Sequence, residues 1–212
     1  AEGEKFGVAH RNTGAVPIPE QAAPLPSRLM AELKALDQRL YEAVAGADTP
    51  TLDEFFRRLS LSANKSVLWL GVAGVLAVAG GRTGRRAAVN GLASIGLASA
   101  AANLVGKQVT DRRRPDRAGA GVPDGRHVPM PESTSFPSGH SASAFAFAEG
   151  VSSAAPALGL PMRLAAVAVS YSRVHTGVHF PGDVVGGALI GLTAGEAAPR
   201  IMAFAQRRWL AR

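Results

Sequence analysis

Three short clusters in this chain combine the residue types and spacings that phosphoryl chemistry requires. The first is Lys107, six residues, then Arg114-Pro115. The second is Ser135-Phe136-Pro137-Ser138-Gly139-His140. The third is Ser172-Arg173, five residues, His179, three residues, Asp183. Moving a phosphoryl group needs cations around three equatorial oxygens, an in-line nucleophile and a proton donor for the leaving oxygen. Lys107, Arg114 and Arg173 offer the cations, and an arginine fork can hold phosphate through two parallel hydrogen bonds. Gly139 lets backbone come close to a phosphate, and a helix opening near His140 presents free N–H groups and a positive dipole end. Two histidines, with an aspartate four residues after one of them, can supply nucleophile, acid and orienting carboxylate.

Each residue has a simpler account when taken alone. Lys107 at the end of an apolar run can snorkel. Ser138 can be an N-cap, and Asp183 a favourable charge in a first helical turn. Arg112, Arg113, Arg114 and Arg117 can mark a membrane boundary. Only the set, in this order, argues for an enzyme.

The elements that must position this set are apolar and helical. Leu29, Leu33, Leu36, Leu40 and Val44 recur at helical spacing, which predicts an amphipathic helix lying in a membrane interface or packed on the bundle. A second short helix is expected over Thr51–Leu61, with Phe55, Phe56 and Leu59 on its apolar side. Five apolar segments follow, at Ser66–Gly80, Ala87–Gly106, Ser141–Leu160, Arg163–Tyr171 and Val184–Ala205, with Pro161 dividing the third from the fourth. Gly187, Gly191 and Gly195 share one face of the last, where bare backbone allows close helix packing in lipid. The expected fold is all-α: an integral-membrane bundle of about five to six helices. Residues 1–25 form a tail, 26–62 an amphipathic helical segment and 63–212 the membrane core. Each cluster falls at a helix end, so alternating helices bring all three to one side.

The pattern K-x6-RP, PSGH, SR-x5-H-x3-D resembles the complete three-part signature of the type 2 phosphatidic-acid phosphatase superfamily. The resemblance runs from 107 to 183. It implies that His179 attacks phosphorus to form a phosphohistidine, that Asp183 orients it, and that His140 protonates the leaving oxygen and later activates water. It implies that Lys107, Arg114, Ser138, Gly139 and Arg173 hold the phosphoryl oxygens, with no metal and no cofactor. His175 lies outside the signature, close enough to line the site. Arg112 and Arg113 are placed to help with a second phosphate.

The implied substrate is a lipid phosphate in a bilayer, most naturally a polyprenyl phosphate or diphosphate or a decaprenyl-linked sugar phosphate. Phosphatidylglycerol phosphate and phosphatidate are the alternatives. Vanadium haloperoxidases have a similar signature but are larger and soluble, and a non-catalytic lipid-binding relative would be free to lose the histidines. The net charge of +7 sits in separate clusters rather than on one face, which argues against a nucleic-acid partner. The chain has no cysteine, so disulfides and thiolate metal sites are excluded. Abundant Arg, Ala and Gly with little Lys suggest a GC-rich bacterium, and so a bacterial cell membrane. Arg82, Arg85, Arg86, Arg163, Arg207 and Arg208 lie in the connections away from the clusters, and the positive-inside rule puts them in the cytoplasm. An N-terminal tail without an apolar leader, counted through five spans, places the site on the cytoplasmic side instead.

Overall fold

The computed structural model describes residues 25–211, with the side chains of 105–109 excepted. The expected tail, 1–25, lies outside the described residues except for Leu25, which opens the first helix. Seven α-helices form among those described: α1 (Leu25–Ala45), α2 (Pro50–Ser62), α3 (Val67–Ala79), α4 (Gly81–Val109), α5 (Gly139–Ser152), α6 (Gly159–His175) and α7 (Pro181–Leu210). No strand is present among them, so the all-helical expectation holds.

Several boundaries differ from the sequence pattern; α6 and α7 each extend three to five residues beyond their expected apolar runs at both ends, and two other differences are larger. The helix expected to run to Leu160 stops at Ser152, and the chain turns through a single 3-10 turn at Pro156–Leu158 before α6 begins. Pro161 does not interrupt α6. It lies in the first turn, where a missing N–H costs no helical hydrogen bond. Helix α4 starts six residues earlier than the apolar run, because the arginine-rich stretch 81–86 is itself helical.

Helix α5 is the axis of the bundle, packed by α4, α6 and α7. Its residues are small, and nine of its fourteen are buried. The glycine stripe of α7 lies directly against it. A Cβ at Gly187 would come within 2.3 Å of the Ser138 carbonyl, and one at Gly191 within 2.4 Å of the Ala142 carbonyl. These contacts are to backbone, which cannot move aside cheaply. On the other side Gly91 of α4 accepts the Phe147 ring, and Gly150 of α5 meets the Asn90 carbonyl. Trp69 of α3 closes this core on Phe147, with ring centroids 5.2 Å apart.

Helices α1 and α2 are fastened to the end of the bundle where α6 stops and α7 starts. Arg126, 1% exposed, ties both to the long α4–α5 connection. Its guanidinium donates to Asp53 Oδ1 at 2.8 Å and to the carbonyls of Val44 and Ala45, the last residues of α1. Those carbonyls have no partner within their own helix, so a buried cation is well placed there. The two acidic residues within apolar runs are both paired. Glu149 holds Arg163 through two hydrogen bonds, and Glu196 is exposed beside Arg200.

Candidate active site

The three clusters meet where α4 ends, α5 begins, α6 ends and α7 begins. A pocket of about 210 Å³ there is lined by Arg114, Ser133, Thr134, Gly139, His140 and His179, among others.

The spacing within the third cluster follows from how α6 stops. Thr176 caps the helix and Gly177 adopts φ 71°, a left-handed conformation that costs glycine little. The Val178 N–H reaches back to the Arg173 carbonyl (3.1 Å) and the Gly177 N–H to that of Val174 (2.9 Å). This double closure is a Schellman motif. It folds the chain so that the His179 N–H also returns to the Arg173 carbonyl, at 3.2 Å. Five intervening residues are what bring His179 back over Arg173. Pro181 then opens α7, and Asp183, at its third position, accepts the Phe180 N–H at 2.9 Å. Asp183 thus caps the helix and, four residues after His179, also faces that ring.

His179 is almost wholly buried, and its two nitrogens are distinguished by their neighbours. Nε2 lies 3.2 Å from Arg114 Nη1, and Nδ1 lies 3.4 Å from Asp183 Oδ2. A guanidinium only donates, so Nε2 must carry the lone pair and Nδ1 the proton, which points at the carboxylate. Burial, with the Arg114 and Arg173 charges behind it, pushes the His179 pKa down to about 4 against the opposing pull of Asp183. The ring is therefore neutral at physiological pH, with its Nε2 lone pair on the pocket side accepting from Arg114.

Arg114 is set by the loop around it. It donates to the carbonyls of Ser133 (2.9 Å), Val178 (2.8 Å) and Thr134 (3.2 Å). Burial lowers its pKa from the ordinary guanidinium value, opposed by Asp183. Arg173 is 1% exposed and lies beneath the pocket. Its Nη1 reaches Ser60 of α2 at 2.5 Å, while its Nε has no partner among the described residues. At the start of α5, Ser138 is the N-cap and its Oγ accepts from Ser141 N and Ser141 Oγ. It is buried and not among the residues lining the pocket, and its hydroxyl donates to no partner among the described residues. Gly139 does line the wall, and a Cβ there would meet nothing within 4 Å. Packing therefore does not require glycine at 139; the free space is pocket. The first N–H groups of α5 lack carbonyls one turn back and are suited to an anion. His140 has its Nε2 2.9 Å from Asn64 Oδ1. The Lys107 side chain lies outside the described residues.

Several partners of the set were not expected from sequence. Ser135 Oγ donates to Asp183 Oδ2, Asn64 meets His140, and Ser60 meets Arg173. Asp37 and Arg112 also join, through Asp183. Arg112 is paired with Asp37 and Asp183, so it is turned inward and does not offer a second phosphate site. Arg113 is exposed, with no ion pair among the described residues. His175 is buried on the other side of α6, 3.0 Å from Asp53 and against Phe56 and Tyr171, and does not line the pocket.

Bundle and site together define a phosphate-ester hydrolase of helical type, and comparison with known proteins agrees. The PAP2 superfamily profile matches residues 87–207. The decaprenylphosphoryl-5-phosphoribose phosphatases of two Mycobacterium tuberculosis strains are each 33% identical over 161 residues, covering 76% of this chain and 86% of theirs. Among solved structures, Aquifex aeolicus LpxE superposes with a TM-score of 0.63 at 26% identity, over 78% of this chain and 95% of its own. A transmembrane PAP2-type phosphatidylglycerolphosphate phosphatase from Bacillus subtilis shares the fold, with a TM-score of 0.61 at 24% identity over 81% and 87%. The chain belongs to the PAP2 superfamily and is a phosphatase.

Proposed function

We propose that this phosphatase acts in a membrane on a polyprenyl-linked phosphate, with a decaprenyl-linked sugar phosphate the first candidate, through a phosphohistidine on His179. The mechanism rests on one observation, the placement of His179 between Asp183 at Nδ1 and Arg114 at Nε2, which favours Nδ1–H toward Asp183 and the Nε2 lone pair toward the pocket. In the first step Nε2 attacks phosphorus, the P–O bond to the lipid breaks, and His140, held as imidazolium by the negative charge of the bound phosphate, gives its extra proton to the departing oxygen and becomes neutral. Arg114 exchanges its bond to Nε2 for the phosphoryl oxygens. Arg173 Nε, the Ser138 hydroxyl and the first N–H groups of α5 add donors, with Lys107 as a further cation. In the second step His140 takes a proton from water, which attacks phosphorus and breaks the N–P bond. Inorganic phosphate leaves and His179 returns to its starting state. Every proton and electron pair is accounted for by these groups alone.

The surface supports a lipid setting. Val75 and Val78 on α3, Val89 and Leu104 on α4, Leu164 and Val167 on α6, and Leu189 and Phe204 on α7 are exposed, whereas the buried residues of α5 are alanine, glycine and serine apart from Phe147 and Val151. Large apolar groups outside and small ones at the helix contacts are the arrangement expected in lipid. Among the described residues one helix, at Gly81–Leu104, is long and apolar enough by itself to cross a membrane, and α2 and α3 together would pass as one span bent by 66°. Helix α5, at fourteen residues, covers about 21 Å and is enclosed by its neighbours rather than lipid. The decaprenyl preference is supported by the name of the Mycobacterium relatives.

The test is phosphate release by detergent-purified protein, with chelator present. The substrates are decaprenyl phosphate, decaprenyl diphosphate, a decaprenyl-linked sugar phosphate, phosphatidylglycerol phosphate and phosphatidate. Fastest release from a decaprenyl substrate, abolished in His179→Ala, is expected. Release from the glycerolipids alone would overturn the substrate assignment, and full activity in His179→Ala the mechanism.

A further inference from the structure

Helix α1 is attached to the bundle the wrong way round for an ordinary amphipathic helix. Leu29, Leu33, Leu36 and Leu40 are all roughly half exposed, while the inward stripe is Asp37, Tyr41 and Ala45. A carboxylate, rather than the leucines, reaches into the protein at this contact. Asp37 Oδ1 accepts the Gly182 N–H at 2.7 Å, and Oδ2 takes Arg112 Nη2. The other arm of that guanidinium, Nη1, lies 3.0 Å from Asp183 Oδ1. The Phe180 ring supports it from below, 4.4 Å from Cζ to the centroid.

Asp183 is fully buried, and its two oxygens have different duties. Oδ2 is held by Ser135 Oγ and the Phe180 N–H and faces His179 Nδ1. Oδ1 makes no hydrogen bond among the described residues, and the cation it faces is Arg112, as an ion pair. The Arg112 charge is thus the attraction acting on Oδ1 while Oδ2 is held by Ser135 and the Phe180 N–H, and Asp37 anchors Arg112. Gly182 makes the approach possible, since a Cβ there would come within 3.0 Å of an Asp37 carboxylate oxygen.

We infer that Asp37 and Arg112 are positioning residues for the Asp183–His179 pair, which makes α1 part of the catalytic unit. Neither touches the pocket, and Asp37 lies outside the segment that defines the family. The inference rests on the phosphohistidine reading above, because it concerns how the nucleophile is aimed. A residue that aims a nucleophile acts on turnover and leaves substrate binding alone. Misplacement of a catalytic group by about 1 Å can cost on the order of a hundredfold in rate.

The experiment compares kcat and KM of Asp37→Asn, Arg112→Gln, Arg112→Lys, Gly182→Ala and the double variant Asp37→Asn/Arg112→Gln. All are purified in detergent and assayed, beside His179→Ala, on the lipid phosphate released fastest in the panel. Asp37→Asn and Arg112→Gln are expected to lose roughly tenfold or more in kcat with KM within about twofold. Arg112→Lys should recover part of the loss. The double variant should be no worse than the worse single, because both act through one contact chain. Gly182→Ala should lower kcat in the same direction while its unfolding midpoint holds or rises. Unchanged kcat in Asp37→Asn and Arg112→Gln, with His179→Ala inactive, overturns the positioning role and leaves the phosphohistidine standing. A loss carried by KM alone overturns it also, in favour of substrate contact. Activity retained by His179→Ala removes both. If the charge variants do not fold, Gly182→Ala decides: wild-type kcat there overturns the inference.

Discussion

In the proposed mechanism His179 must be neutral before substrate arrives, and burial keeps it so. With its pKa near 4, the acid limb of kcat/KM that belongs to this residue should fall well below the ordinary imidazole value of about 6.5. Asp183 raises that pKa, so Asp183→Asn should move the limb lower still while cutting kcat by about a hundredfold or more, since the tautomer is no longer fixed. A pH series on both proteins tests this, and a limb near 6.5 in the wild type would contradict it. The linkage has the same sign. A histidine whose folded pKa lies below its unfolded one binds fewer protons when folded. Its contribution to stability is full above about 6.5 and is lost as pH falls toward about 4. Gly139 gives a separate test of the pocket. Gly139→Ala puts a methyl into free space, so the unfolding midpoint should hold or rise slightly, while kcat/KM falls at least about tenfold if phosphate occupies that space. The signature residues were legible in sequence because their constraints are local: a Schellman turn, an N-cap and an i,i+4 pair each impose a fixed spacing. Asn64, Ser60 and Asp37 were not legible, nor was the bond from Ser135, inside the second cluster, to Asp183. Each meets its partner across 48 to 145 residues, and nothing in a serine or asparagine marks what it will face.

The helix contacts depend on the absence of side chains more than on their presence. Gly191 is the sharpest case, because a Cβ there would meet the Ala142 carbonyl at 2.4 Å and the Ala146 nitrogen at 2.9 Å. Gly191→Ala should therefore push α7 off α5, destabilising the protein by about 1–3 kcal/mol in spite of alanine's better helix propensity. Gly74→Ala on α3, where a Cβ meets nothing within 4 Å, is the control and should be neutral or slightly stabilising. Thermal unfolding of both in the same detergent decides it, and equal midpoints would show the glycine stripe to be dispensable. The four-residue glycine spacing was visible in sequence. The end of α5 was not, since Ala154 and Ala155 continue the apolar run while the chain has already left the helix. Hydrophobicity marks what is buried or lipid-facing; hydrogen bonding decides where a helix stops.

The whole molecule is polarised along its axis. The site, the long α4–α5 connection and helices α1 and α2 lie at one end; Arg82, Arg85, Arg86, Arg163, Arg207 and Arg208 lie on helix segments toward the other. At the site end several cations are neutralised within the fold, Arg112 by Asp37 and Asp183 and Arg126 by Asp53. At the far end, among the described residues, Arg85 reaches a backbone carbonyl and the arginines outnumber their acidic partners. If the clustered arginines at 82–86 and 207–208 hold their end in the cytoplasm, the pocket faces outside. Because the chain has no cysteine, single cysteines can be introduced without background. A cysteine at Glu132, exposed in the site connection, should react with a membrane-impermeant maleimide on intact cells. One at Arg82 should react only after permeabilisation. The reverse pattern would put the pocket in the cytoplasm, and with it the origin of the lipid phosphate, because the pocket draws its substrate from the leaflet at its own end.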